Sequence, residues 1–180
     1  GSYLSRYVAK KLSGRNTMII FYLIMAAALL AARAVYTNVW AVIVLLSMAQ
    51  LGYGFVYSCS SALYGDTAIY SEWKTGKNAS GWIMGLTNIP LKVGSTLKGV
   101  ILPAALAAGG FSASITPADA PESMRVAIAN TLLVIPAALL IVGALILLFL
   151  FRLPKSKLEQ MQKEIEERKA AEMAEAAVNT

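Results

Sequence analysis

Lys92 stands about ten residues inside an apolar stretch, Trp82 to Ala108, that is long enough to cross a bilayer. About 20 helical residues cover a ~30 Å hydrocarbon core at about 1.5 Å per residue, so that ammonium falls near the midplane. A charge there costs roughly 2.5–3.5 kcal/mol on translocon scales and more in simulations. The side chain must therefore turn toward a water-filled cavity, an acidic partner or a ligand. Asn88 lies one turn before Lys92 and Thr96 one turn after, so the three share a face. The four apolar stretches carry no Asp or Glu at matching depth. The counter-charge is expected from polypeptide outside this chain or from a ligand. We read Lys92 as a cation-site or substrate-pocket lysine. The structural alternative is a lysine bonded to backbone carbonyls between helices. Lys98 lies off this face and suits a pocket group and a snorkelling residue equally.

Two further sets carry chemistry. Gln50, Gly54, Tyr57 and Ser61 recur at intervals of four, three and four, on one helical face. Such a face suits a helix–helix interface of small and polar residues, or the wall of a polar cavity. Asp66, Glu72 and Lys74 fall in a charged stretch, Gly65 to Ser80, expected as a loop at the mouth of the membrane. Carboxylates there make sense as halves of ion pairs with basic loops of another bundle, formed and broken as a gate closes and opens. No enzyme signature survives. The chain has no His and a single Cys, Cys59, and shows neither a nucleophile elbow nor a Walker loop. No metal site and no cofactor are expected within it.

The elements that position these residues are membrane spans. The sequence is 57% hydrophobic and 14% charged, against about a quarter charged in soluble domains. Full spans are expected at about 17–35, 39–63, 82–108 and 126–151. Residues 1–12 read as the cytoplasmic end of a preceding helix. Residues 153–180 read as a cytoplasmic helical tail that frays toward Thr180, with Ser156 and Glu159 as a capping box. Leu158, Met161 and Ile165 form a narrow stripe on that tail, read as a solvated helix with no specific partner. The net charge of +6 is concentrated at span ends, including Arg6, Lys10, Lys11, Arg15, Lys74, Lys77, Arg152 and Lys155. That is a topology signal rather than a nucleic-acid face, and it puts the charged stretch and the C-terminus in the cytoplasm of a cell (inner) membrane. The chain opens Gly-Ser with no Met and no signal-peptide pattern, and reads as part of a longer polypeptide or as carrying a cloning scar.

The run Asp66-Thr-Ala-Ile-Tyr70-Ser-Glu72-Trp73-Lys74-Thr75-Gly76-Lys77, followed by Lys92-Val93-Gly94, resembles the glycoside–pentoside–hexuronide:cation symporters. The likeness extends from the basic stretch at Arg6 to the end of the last span. It implies an all-α transmembrane fold, four full spans plus a partial one, from the C-terminal bundle of a twelve-helix major facilitator transporter. It implies symport of a sugar or glycoside with Na⁺ or H⁺, and Li⁺ in some members, by alternating access. On this resemblance Lys92 and Asn88 match positions near the cation and sugar sites, Tyr57 an aromatic at the sugar pocket, and Asp66 a cytoplasmic gate residue. Thr96 and Gln50 join the pocket, and Glu72 and Lys74 the gate. Ile69 and Ser71 depart from the pattern, which has an acidic residue and a glycine there. The main cation ligands are expected in an N-terminal six-helix bundle, the partner of this chain within the bilayer. The rival readings are a major facilitator transporter of non-sugar solutes and a small four-helix membrane scaffold that oligomerises.

Overall fold

A computed structural model describes residues 13–110, 120–151 and 153–178. The expected helix end at 1–12, with Arg6, Lys10 and Lys11, lies outside them, as do Arg152 and Thr180. The described residues form helices α1 (Gly14–Ala34), α2 (Val39–Thr75), α3 (Ser80–Gly85), α4 (Asn88–Ala108) and α5 (Glu122–Ala129). A π-helical turn (Asn130–Val134), α6 (Ile135–Phe149) and α7 (Lys155–Val178) complete the order, and no strand occurs among them. Four helical stretches are long and apolar enough to cross a membrane: α1, α2, the α3–α4 pair, and the fourth span from Glu122 to Phe149.

Local chemistry sets most of these boundaries. Ser13 caps α1 by accepting from the Asn16 amide at 3.4 Å, and Asn38 caps α2 by accepting from Ala41 at 3.2 Å. Pro90 has no N–H to offer the carbonyl four residues back, and its ring crowds that carbonyl. The third span accordingly breaks at Leu86–Thr87 and restarts at Asn88, with Pro90 in the first turn of α4 where it is tolerated. Pro136 acts similarly on the fourth span. The wider π turn immediately before it takes up the displaced backbone.

The second span corrects our expectation of a loop at Gly65 to Ser80. Helix α2 runs on to Thr75 and stops at Gly76, whose left-handed φ of 70° and N–H bond to Glu72 O at 2.9 Å make a glycine C-cap. Its 37 residues come to about 55 Å, well beyond a ~30 Å hydrocarbon core. The last turns therefore project from the membrane as helix. Thr67 and Thr75 return their hydroxyls to Leu63 O and Ser71 O at 2.9 and 2.8 Å, so the polar side chains fit the helix rather than break it.

Helix α1 is the centre of the packing. Against the fourth span it presents Ala26, Leu29 and Ala32, which meet Ala129, Leu133 and Ala137. Small residues let the backbones approach closely, which is how helices associate where lipid removes the hydrophobic drive. Against α2 it presents Met18, with Phe21, Tyr22 and Met25 alongside, facing Val56, Cys59 and Leu63. Phe21 stacks on Phe55 with ring centroids 4.3 Å apart. Two polar clamps fix the ends of the α1–fourth-span seam. Arg15 donates to Leu147 O and Leu148 O at 2.9 and 2.6 Å, satisfying carbonyls at the end of α6. Arg33 donates to Asn130 Oδ1 at 2.7 Å and lies over the Tyr36 ring. The Tyr36 hydroxyl donates in turn to Glu122.

The tail also departs from the expectation of a solvated helix. Leu158, Met161 and Ile165 are buried, and α7 packs along the projecting end of α2. The capping box does not form. Ser156 sits within the first turn, and Pro154 O accepts from Lys157 and Leu158 instead.

Candidate functional site

Helix α4 carries Asn88, Lys92 and Thr96, and none of its residues is buried by the other described residues. All three side chains are exposed. Thr96 turns its hydroxyl back to Lys92 O at 3.1 Å, so it closes its own helix rather than holding the ammonium. No acidic side chain among the described residues forms an ion pair with Lys92.

Helix α2 separates two faces cleanly. Ala49, Gly52, Val56, Cys59 and Leu63 are buried, at the intervals of three and four that mark one stripe. They form the seam with α1. A Cβ on Gly52 would lie 2.7 Å from Met25 Cγ, so that seam admits no side chain there. Gln50, Tyr57 and Ser61 are exposed and Gly54 half-buried, on the neighbouring face. Within the described residues this polar face is thus not a helix–helix interface. Tyr57 is 61% exposed and stands beside Tyr53, ring centroids 6.3 Å apart.

The two polar-bearing helices flank one space. A cavity of about 780 Å³ runs over α1 between α2 and α6, lined by Gln50 and Tyr53 from α2, Gly94 from α4, and Tyr22, Pro136 and Gly143 among others. Gln50 thereby reaches the same cavity as α4. Lys92, Asn88, Thr96 and Tyr57 do not line it.

The expected gate residues lie at the other end of α2 and are brought together on its projecting turns. Asp66 is half-buried and lines a cavity of about 590 Å³ with Arg15, Lys155 and Glu159. Glu72, expected to answer another bundle, holds Lys169 of its own chain at 2.7 Å. Lys74 rests 5.9 Å from the centroid of the Tyr70 ring. Trp73 was not singled out from the sequence. Its indole N–H donates to Glu164 Oε2 at 2.5 Å, while Gln160 donates to Glu164 Oε1 at 2.9 Å. The available signal was the 158–161–165 stripe, which required an apolar surface to cover.

The Trp73 bond, and then the Gln160 bond, hold the Glu164 carboxyl below the usual carboxylate range. A depressed folded-state pKa contributes stability above the undocked pKa and loses it as pH falls through the docked one. The tail is therefore expected to stay docked at neutral pH and loosen below about pH 4.5, seen as faster proteolysis of residues 155–178. Glu164→Gln keeps an acceptor for Trp73 and should flatten that acid response. An unchanged response would show that Glu164 does not govern it.

The profile of a family described as MFS/sugar transport protein matches residues 1–155. The chain is 30% identical over 139 residues to an Escherichia coli protein named "Putative sulfoquinovose importer", covering 77% of this chain and 29% of that protein. A Salmonella typhimurium protein of the same name is 29% identical over 122 residues, covering 68% of this chain and 25% of its own. The chain thus spans under a third of the length of these relatives. No solved structure matches.

Proposed function

This chain belongs to the MFS/sugar transport protein family, and on that premise we propose that it is the C-terminal part of a sugar:cation symporter. It is a multi-pass membrane segment, with four stretches able to span. In this reading a further six-helix bundle covers the polar faces of α2 and α4. That bundle supplies the carboxylates for Na⁺ or H⁺, and a glycoside, pentoside or hexuronide binds between the halves. The observation that carries the reading is Lys92: a mid-span ammonium on a helix that the other described residues leave unburied. A charge in that position is stable only when something outside these helices answers it.

The coupling follows from charge. With the cation site empty, carboxylates of the other bundle neutralise Lys92. Cation binding occupies those carboxylates, alters how Lys92 is neutralised, and tunes the site for sugar. The bundles then rock about that midplane site. The basic span ends support a cytoplasmic side, at a cell (inner) membrane, for the tail, Asp66 and Glu72. The names of the two relatives support import of a sugar by this chain's transporter as well.

The test is uptake by the complete transporter in vesicles, across a panel of neutral, uronic and sulfonated sugars, with imposed Na⁺ or H⁺ gradients. Accumulation above the external concentration that collapses with the ion gradient is the expected result. Movement that stops at equal concentrations under every gradient would remove the cation from the proposal.

A further inference from the structure

We propose that α7 is a competitive latch on the projecting end of α2, holding Glu72 and Trp73 on their own bundle until transport requires them elsewhere. The inference rests on the transporter reading above. It starts from how completely α7 engages that end. Leu158, Met161 and Ile165 are 8%, 2% and 8% exposed, a continuous apolar seam. Polar contacts follow along the same helix: Trp73 Nε1 to Glu164 at 2.5 Å, then Lys169 Nζ to Glu72 at 2.7 Å. Contacts from Leu158 to Lys169 cover about three turns.

The connectivity makes this a brace. Helix α7 continues from the fourth span through a link that begins after Phe149 and ends at Lys155. Helices α2 and α6 meet chiefly through α1 between them. At this end α7 supplies the direct tie, reaching from the end of α6 to the end of α2. It also takes the contacts that an opposing bundle would need. Glu72's side chain is 16% exposed while paired, so a basic group from elsewhere can take it only by displacing Lys169. The pair is partly solvated, and pairs of that kind contribute about 0–1 kcal/mol. That is weak enough to be exchanged within a cycle. Met161 and Ile165 give the tail its fixed seat, and the outer pair gives it a releasable contact.

The experiment ties α7 to α2 without touching the latch residues. Ile69 and Gln162 both line the cavity between the two helices. In the complete transporter, Ile69→Cys and Gln162→Cys are joined by a short flexible bismaleimide. The one Cys of this chain, Cys59, is buried, and any Cys in the rest of the transporter is replaced by Ser. The control is the same variant capped with N-ethylmaleimide. Cross-linking is expected to lower sugar uptake by about tenfold relative to the capped control, within the range of conformational couplings. Equal uptake by cross-linked and capped protein would overturn the latch, as would failure of the pair to cross-link in membranes. Should the unreacted pair already lack uptake, Ile165→Asp decides, since a charge in the seam expels the tail. An undocked tail is expected to shift the half-saturating sugar concentration or maximal rate at least about threefold. No shift despite a protease-accessible tail would overturn the proposal. A parent transporter that moves no sugar refutes the functional reading and takes the latch with it. Normal parent uptake with an indifferent cross-link refutes the latch alone.

Discussion

Lys92→Ala in the complete transporter is expected to lower sugar uptake by about 100-fold, or about 2.7 kcal/mol of barrier, with the protein still inserted at its normal level. The two halves of that expectation have separate physical sources. Removing a midplane ammonium relieves roughly 2.5–3.5 kcal/mol of insertion cost. The variant therefore has no reason to fold worse, and α4 buries nothing that the truncation would uncover. The expected loss then reflects the proposed contacts of Lys92 beyond the described helices. Lys92→Arg keeps the charge but replaces a compact ammonium by a planar fork, and should retain binding better than coupling. Uptake is read beside surface expression and beside sugar binding without the ion. Uptake within about twofold of the parent would make Lys92 a structural lysine bonded to helix carbonyls, the alternative its position also allows.

The sequence showed its long-range plan only where a single element carries the signal. Hydropathy located all four spans, since each is one continuous apolar run. Pro90 and Gly76 set a break and a stop through their own backbone alone, Gly76 within a stretch read from the sequence as a loop. The projecting end of α2 was misread as a loop because its charged residues mask a helical face. Trp73 matters only once α7 covers it. That cover pairs Trp73 with a residue 91 positions away, and the Arg15 clamp reaches 132 positions to Leu147. No local pattern encodes such pairings. The polar face of α2 was legible as a face but not as to what it meets. Burial settled that it does not serve the seam with α1, which uses Ala49 to Leu63 instead. For Lys92, Asn88 and Tyr57 the described residues supply no burying surface, and the proposed answering groups belong to another bundle that no pattern in this sequence describes.

The largest structural effect is expected at the α1–fourth-span seam. Ala32 and Ala137 are both 0% exposed, and Ala26 and Ala129 extend the same line of small residues. In a bilayer this closeness is itself the source of attraction, because lipid tails compete equally well for apolar surface. Ala137→Leu inserts three carbons where no space exists. Overpacking of that kind costs about 1–3 kcal/mol by itself. Here the seam also sets the register of both polar clamps. Separating the helices stretches Arg33–Asn130 at one end and Arg15–Leu147 at the other, from 2.7 and 2.9 Å. Hydrogen bonds from a charged donor contribute about 1.5–3 kcal/mol each. A total loss of about 3 kcal/mol is expected, measured as thermal unfolding in detergent, with Ala32→Leu similar and the double variant less than additive. Leu139→Ala is the contrast. It changes the same helix by the same three carbons, but Leu139 is 64% exposed, and its loss should change stability by no more than about 0.5 kcal/mol. Equal effects at Ala137 and Leu139 would mean that side-chain volume, not close approach of the backbones, holds the fourth span to α1.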